Sequence, residues 1–176
     1  MSRRAARDTD RMRSPRRRTR RRSDPVREPL ARLLDWRDAH VPFERAVQGV
    51  PVALRGRRPK GLPSLWELLE HLRICQRDIL DFCGPNYVER SWPDDYWPGR
   101  PAPPDARAWS RSIAAFREDL AALQTLARTH PKLTARIPHG SGQTYLRELL
   151  LVADHNAYHV GQMILVRRLL GCWPGS

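Results

Sequence analysis

The chain has 176 residues, 40% of them hydrophobic, and a formal net charge of +13. That length suits one domain plus a tail, and a body of about 150 residues can bury close to 70% of its unfolded surface. No apolar run is long enough to cross a bilayer and no secretory leader opens the sequence, so membrane-spanning and exported classes are disfavoured and a soluble, cytoplasmic protein is expected.

The charge is uneven. Residues 1–27 hold 12 Arg against Asp8, Asp10 and Asp24, so nine of the thirteen surplus positive charges lie there. Blocks such as Arg16-Arg17-Arg18 and Arg20-Arg21-Arg22, with almost no large apolar neighbour, cannot offset the entropy of ordering. A disordered basic tail is expected over residues 1–26 and a folded domain over 27–176. Residues 1–25 could neutralise phosphates on nucleic acid or lie on an anionic surface. No aromatic residue interleaves the arginines as a base-stacking platform would require, which favours an unselective extension.

In the domain, a first helix is expected over residues 27–48, with Leu30, Leu33, Leu34, Arg37, Val41 and Phe43 as its stripe and a kink or break near His40 imposed by Pro42. Gly49 to Pro63 follows as a long exposed connection carrying Arg55, Arg57, Arg58 and Lys60. Ser64-Leu65-Trp66-Glu67 is a capping-box signature. It starts a second helix in which Leu65, Leu68, Leu72, Cys75, Ile79 and Phe82 repeat at helical spacing, up to Gly84-Pro85. His71 lies beside that stripe.

Asn86 to Asp105 contains Trp92, Tyr96, Trp97 and five prolines (Pro93, Pro98, Pro101, Pro103, Pro104). Proline forbids a regular helix, and the aromatics are costly to leave in water. An ordered strap across the bundle is expected, either as one wall of a pocket or as a packed connector. Helix three runs from Asp105 to Thr129, with Trp109, Ile113, Phe116, Leu120, Leu123 and Leu126 on one face. A glycine-containing loop then carries His139, a candidate for reaching the mouth of the site. Helix four runs from its N-cap Thr144 to Leu170, with Gly171 as its stop. It is apolar over much of its circumference, which marks a central helix. Four helices and no strand pattern indicate an all-α fold, a four-helix bundle.

Within that last helix, His155 and His159 are four residues apart and therefore share one face, one turn apart. Two imidazoles in a nearly apolar helix are either hydrogen-bonded core residues or ligands of a divalent cation, which takes neutral nitrogens about 2 Å away. His71 is the candidate third ligand. Asp154, Tyr158 and Gln162 could orient the ligands from behind. Three nitrogens leave a coordination position open, as in catalytic rather than structural zinc sites. Zinc fits best, with nickel, iron or manganese as alternatives. HExxH, CxxC and glycine-rich phosphate-loop motifs are missing, which removes metalloprotease, zinc-finger and nucleotide-binding readings. The odd set Cys75, Cys83 and Cys172 reads as reduced thiols. On one helix Cys75 and Cys83 would stand about 12 Å apart, too far for a disulfide.

With Trp66-Glu67-Leu68-Leu69-Glu70-His71 and Leu151-Val152-Ala153-Asp154-His155-Asn156-Ala157-Tyr158-His159-Val160-Gly161-Gln162, the chain resembles the DinB/YfiT-like superfamily over roughly residues 28–173. The resemblance implies a DinB-like four-helix bundle, often a homodimer. It also implies a divalent metal on one His of helix two and the HxxxH of helix four, which are His71, His155 and His159 here. Such relatives include zinc-dependent enzymes that join a low-molecular-weight thiol (bacillithiol or mycothiol) to an electrophile, and a mycothiol-dependent isomerase. The implied activity is a thiol S-transferase or hydrolase-like enzyme with a small-molecule substrate, drawn in by the basic loop Arg55 to Lys60 if that substrate is anionic. The alternative is a non-catalytic metal-binding bundle acting in stress response or interaction. Gly161 stands where the iron-dependent sulfoxide synthases of the ergothioneine pathway carry the Glu of HxxxHxE, which disfavours that branch.

Overall fold

A computed structural model describes residues 24–35 and 39–174. The expected disordered tail falls almost wholly on residues 1–23, outside the described residues, as does Arg37 of the first stripe. Five α-helices and two short 3-10 turns make up the described chain, and no strand occurs among the described residues.

The first expected helix is two. Helix α1 (Arg27–Leu33) stops well short, and α2 (Phe43–Val47) begins only after Pro42, whose extended backbone (φ −73°, ψ 160°) is the N-cap. Proline has no N–H and disfavours helical geometry in the residue before it, so Val41 cannot continue a helix into Pro42. The interruption anticipated near His40 is therefore a full break between Leu33 and Phe43 among the described residues. Leu30, Leu34, Phe43 and Val47 are nonetheless all buried.

Helix α3 (Leu65–Phe82) has the capping box its sequence announces. Ser64 Oγ accepts from the Glu67 N–H (3.1 Å), and Glu67 Oε2 accepts from the Ser64 N–H (2.8 Å). The Ser64 hydroxyl also donates to the Pro101 carbonyl at 2.6 Å, tying the end of the strap to the start of α3. Leu65, Leu68, Leu69 and Leu72 are completely buried. Each such side chain contributes about 1.5–3 kcal/mol relative to exposure, and this face fixes how α3 sits in the bundle.

Helix α4 (Ala108–Thr129) starts three residues later than expected, because Asp105 is spent before it. Its carboxylate accepts from the Arg107 N–H (2.8 Å) and pairs with Arg111. Helix α5 (Tyr145–Leu169) is capped by Thr144 Oγ1, which accepts from the Arg147 N–H. It ends in a Schellman motif: Gly171 (φ +66°) lets its own N–H reach the Arg168 carbonyl while the Cys172 N–H reaches that of Arg167.

Helices α1, α3, α4 and α5 form the four-helix bundle, with the core running through Leu68, Leu72, Phe116, Leu123, Leu149, Val152 and Met163. Two polar features cross it. Asn156 Nδ2 donates to Gln76 Oε1 (2.8 Å), and Gln76 Nε2 donates to the Phe116 carbonyl (2.7 Å), linking α5, α3 and α4. Arg167, 1% exposed, donates to the carbonyls of Arg45, Ala46 and Cys172. No helix among the described residues is long and apolar enough to cross a membrane.

Candidate metal centre

Three imidazoles meet between α3 and α5. The ring centroids of His71 and His155 are 5.1 Å apart, those of His71 and His159 4.6 Å, and those of His155 and His159 4.5 Å. The three rings are neighbours, while the group whose donor atoms all lie within 4.8 Å of one another is His71, Cys75 and His155. The His155–His159 pair comes from the four-residue spacing on α5, and His71 reaches it because the leucine face of α3 turns that helix toward α5.

The hydrogen bonds around the cluster determine which nitrogens remain available. His71 Nδ1 donates to the Tyr96 carbonyl at 2.8 Å, so its Nε2 keeps a lone pair. His159 Nδ1 donates to Gln162 Oε1 at 2.7 Å, with the same result. His155 Nε2 lies 3.3 Å from His71 Nε2. Two nitrogens sharing a tetrahedral cation at 2.0–2.1 Å would lie about 3.4 Å apart, so this pair already has the spacing of two ligand atoms. The Nδ1 of His155 is buried and makes no hydrogen bond of standard geometry, although the Asn156 side chain interacts with the ring. The arrangement suits a divalent ion.

Protonation points the same way. Burial pushes the His155 pKa down to about 4, helped by the neighbouring His159 and His71 rings. Burial also lowers that of His71, against the pull of the Tyr96 carbonyl, and that of His159, against Gln162. All three rings are therefore neutral near pH 7, the form in which a metal takes them.

The strap is ordered and covers the site. Its 3-10 turn, Asp94–Tyr96, places the Tyr96 hydroxyl to donate to Asp78 Oδ2 at 2.9 Å, and Trp97 lies against His71. Burial raises the Asp78 pKa despite this bond and despite Arg90 nearby.

Cys75 is the residue the sequence reading passed over. Donor atoms of His71, Cys75 and His155 all lie within 4.8 Å of one another, a His/Cys/His group that could hold a divalent metal. The signal was available, since Cys75 follows His71 by the same four residues that separate His155 from His159, but it was absorbed into the apolar stripe. The sulfur is 3.5 Å from His71 Nδ1 and 3.7 Å from Nε2. Nearly equal distances put it against the ring rather than on the Nε2 lone-pair axis, and burial pushes its thiol up to about 12. In this conformation Cys75 packs against the His71 ring.

Other expected contributors separate. Gln162 orients His159, and Tyr158 meets the His159 ring edge-on at 4.9 Å. Asp154 is exposed and outside this network. His139 is not at the mouth of the site: its Nε2 is 3.0 Å from the Phe82 carbonyl and its ring stacks on Tyr87, because Gly140 packs against Phe82 at the other end of α3. Half of the basic loop is also engaged internally. Arg58 pairs with Glu67 and Arg55 lies over Trp109, leaving Arg57 and Lys60 exposed.

The sequence model of the DinB superfamily matches residues 36–163, well over half of the chain. Neither the curated proteins nor the solved structures yielded a match. The chain belongs to the DinB superfamily.

Proposed function

We propose that this DinB-superfamily protein binds a divalent cation, zinc in the first instance, through His71, His155 and His159, and that it is an enzyme transferring a low-molecular-weight thiol to a small electrophile. The observation that carries the reading is the 3.3 Å separation of the His71 and His155 Nε2 atoms, with the His159 ring completing the triangle. Held by these side chains, a zinc ion would lower the pKa of a bound thiol or water. The chain's own groups do the rest. The Tyr96 carbonyl and Gln162 fix the ring tautomers, and the strap with Trp97 limits access of bulk water. Nickel, iron and manganese suit the same nitrogens and remain alternatives.

A second reading, a non-catalytic metal-binding bundle, is favoured by how closely Trp97 covers His71. Elemental analysis of untagged protein, followed by a turnover screen pairing thiol cofactors with electrophiles, separates the two. The enzyme reading expects about one equivalent of metal and turnover that vanishes in His155→Ala. Metal without turnover in any pairing selects the second reading, and no metal in protein refolded with zinc, nickel, iron or manganese removes both.

A further inference from the structure

Two buried amides join the bundle core to the metal centre. Gln76 on α3 is fully buried and Asn156 on α5 is 7% exposed. An amide is costly in such a place unless its hydrogen bonds are made. A main-chain carbonyl can only accept, and that fact orders the whole chain of bonds. The Phe116 carbonyl receives the Gln76 Nε2–H at 2.7 Å. Gln76 Oε1 must then face the other way, toward Asn156, whose Nδ2 donates to it at 2.8 Å. With that NH2 committed to Gln76, Asn156 presents its Oδ1, an acceptor, on the opposite edge. This oxygen is buried and makes no hydrogen bond of standard geometry.

The group this oxygen can serve is the neighbouring ring. His155 Nδ1 is buried in the same condition, and the Asn156 side chain interacts with that ring. Successive side chains on a helix point about 100° apart, so the amide meets the imidazole from its flank. A neutral imidazole carries one proton on either nitrogen. With the proton on Nδ1, a donor faces the Asn156 acceptor. With the proton on Nε2, that nitrogen can donate to His71 Nε2, 3.3 Å away. Two buried acceptors, His155 Nδ1 and Asn156 Oδ1, are then set against each other, which is the more costly arrangement.

We propose that Gln76 and Asn156 are positioning residues for the metal centre: anchored on the Phe116 carbonyl, they hold the His155 proton on Nδ1 and keep its Nε2 lone pair directed at the cation. This role rests on the three-histidine reading, whereas the placement of the proton stands without it. His71 is set by the Tyr96 carbonyl of the strap, and His155 by a carbonyl of α4 acting through two amides. Two separate elements thus direct the two Nε2 lone pairs toward each other at 3.3 Å.

Long-range proton–nitrogen NMR of the histidine rings, on the full metal-free chain at neutral pH, reads which nitrogen carries the proton. In the wild type His155 is expected in the Nδ1–H form. Asn156→Leu should move the proton to Nε2, and Gln76→Met should move it in part, although the bonds of Gln76 go to Asn156 and Phe116 rather than to a ring. Asn156→Asp, which keeps an acceptor beside the ring, should retain the Nδ1–H form, a rescue that a merely loosened core would not give. Zinc affinity on the same samples should fall about 10–100-fold in Asn156→Leu and about tenfold in Gln76→Met, with Asn156→Asp close to the wild type. A wild-type His155 protonated on Nε2, or an Nδ1–H form that survives both Asn156→Leu and Gln76→Met, would overturn the proposal. A wild type in the Nδ1–H form that takes up no zinc would uphold the proton placement and overturn the metal reading alone.

Discussion

The indole of Trp97 lies flat on the imidazole of His71, with centroids 3.9 Å apart and planes 6° from parallel. Together with the bond from His71 Nδ1 to the Tyr96 carbonyl, the stack leaves the ring no freedom to turn its Nε2 away from α5. Groups that hold a ligating ring in place from behind typically change metal affinity by about 10–100-fold. Trp97→Ala should therefore weaken zinc binding about tenfold, measured by competition with a chromophoric chelator. Unchanged affinity would make the strap a packing cover only.

Gln162 holds His159 by a 2.7 Å bond and is the residue most directly placed to set that ring's tautomer. Gln162→Leu should lower zinc affinity by about 10–100-fold with little change in melting temperature of the metal-free protein. A matching loss of stability without metal would show instead that the amide matters for packing.

The metal-free protein should lose stability in mild acid. His155 titrates near 4 when folded, against an ordinary value of 6.5, so between those limits the unfolded chain binds a proton that the folded one refuses. Stability is full above about pH 6.5 and falls as the pH drops toward 4, and His71 and His159 add in the same direction. The part owed to His155 is on the order of 3 kcal/mol once the pH has fallen to about 4. Urea midpoints of chelator-treated protein at several pH values would reveal this slope, and His155→Gln should flatten it. A wild-type midpoint that does not move between neutral and pH 5 would refute the burial of uncharged rings.

Ser64 joins the start of α3 to the end of the strap through Glu67 and Pro101. Ser64→Ala should cost about 1–2 kcal/mol, read as a lower urea midpoint at constant slope. Because the strap is held at this end too, zinc affinity should fall alongside. A loss of stability with affinity untouched would uncouple the cap from the site.

The readable parts of the sequence were those governed by local rules. The Ser64–Glu67 box, the Thr144 cap, the Gly171 stop and the histidine pair on α5 each depend on residues within five positions of one another. What proline leaves behind was harder. Pro42 announced a break, but how far α1 retreats depends on where Leu34 and Phe43 find the core. The strap's role could not be read locally, since Tyr96 meets His71 across 25 residues and the contact is made by a main-chain carbonyl that any residue type carries. His139 misled because a loop histidine gives no sign of which end of the bundle it serves. Cys75 was hidden by its resemblance to its apolar neighbours.

The buried guanidinium of Arg167 fastens two distant parts of the molecule to one residue: α2, whose Arg45 lies 122 positions earlier, and Cys172 five positions later. With three carbonyl acceptors drawn from both, neither part can detach without stranding a cation in the core, a loss of several kcal/mol. Trimming the chain after Gly171 would accordingly be felt at α2, and a lesion in α2 would fray the far tip of the helix that carries His155 and His159.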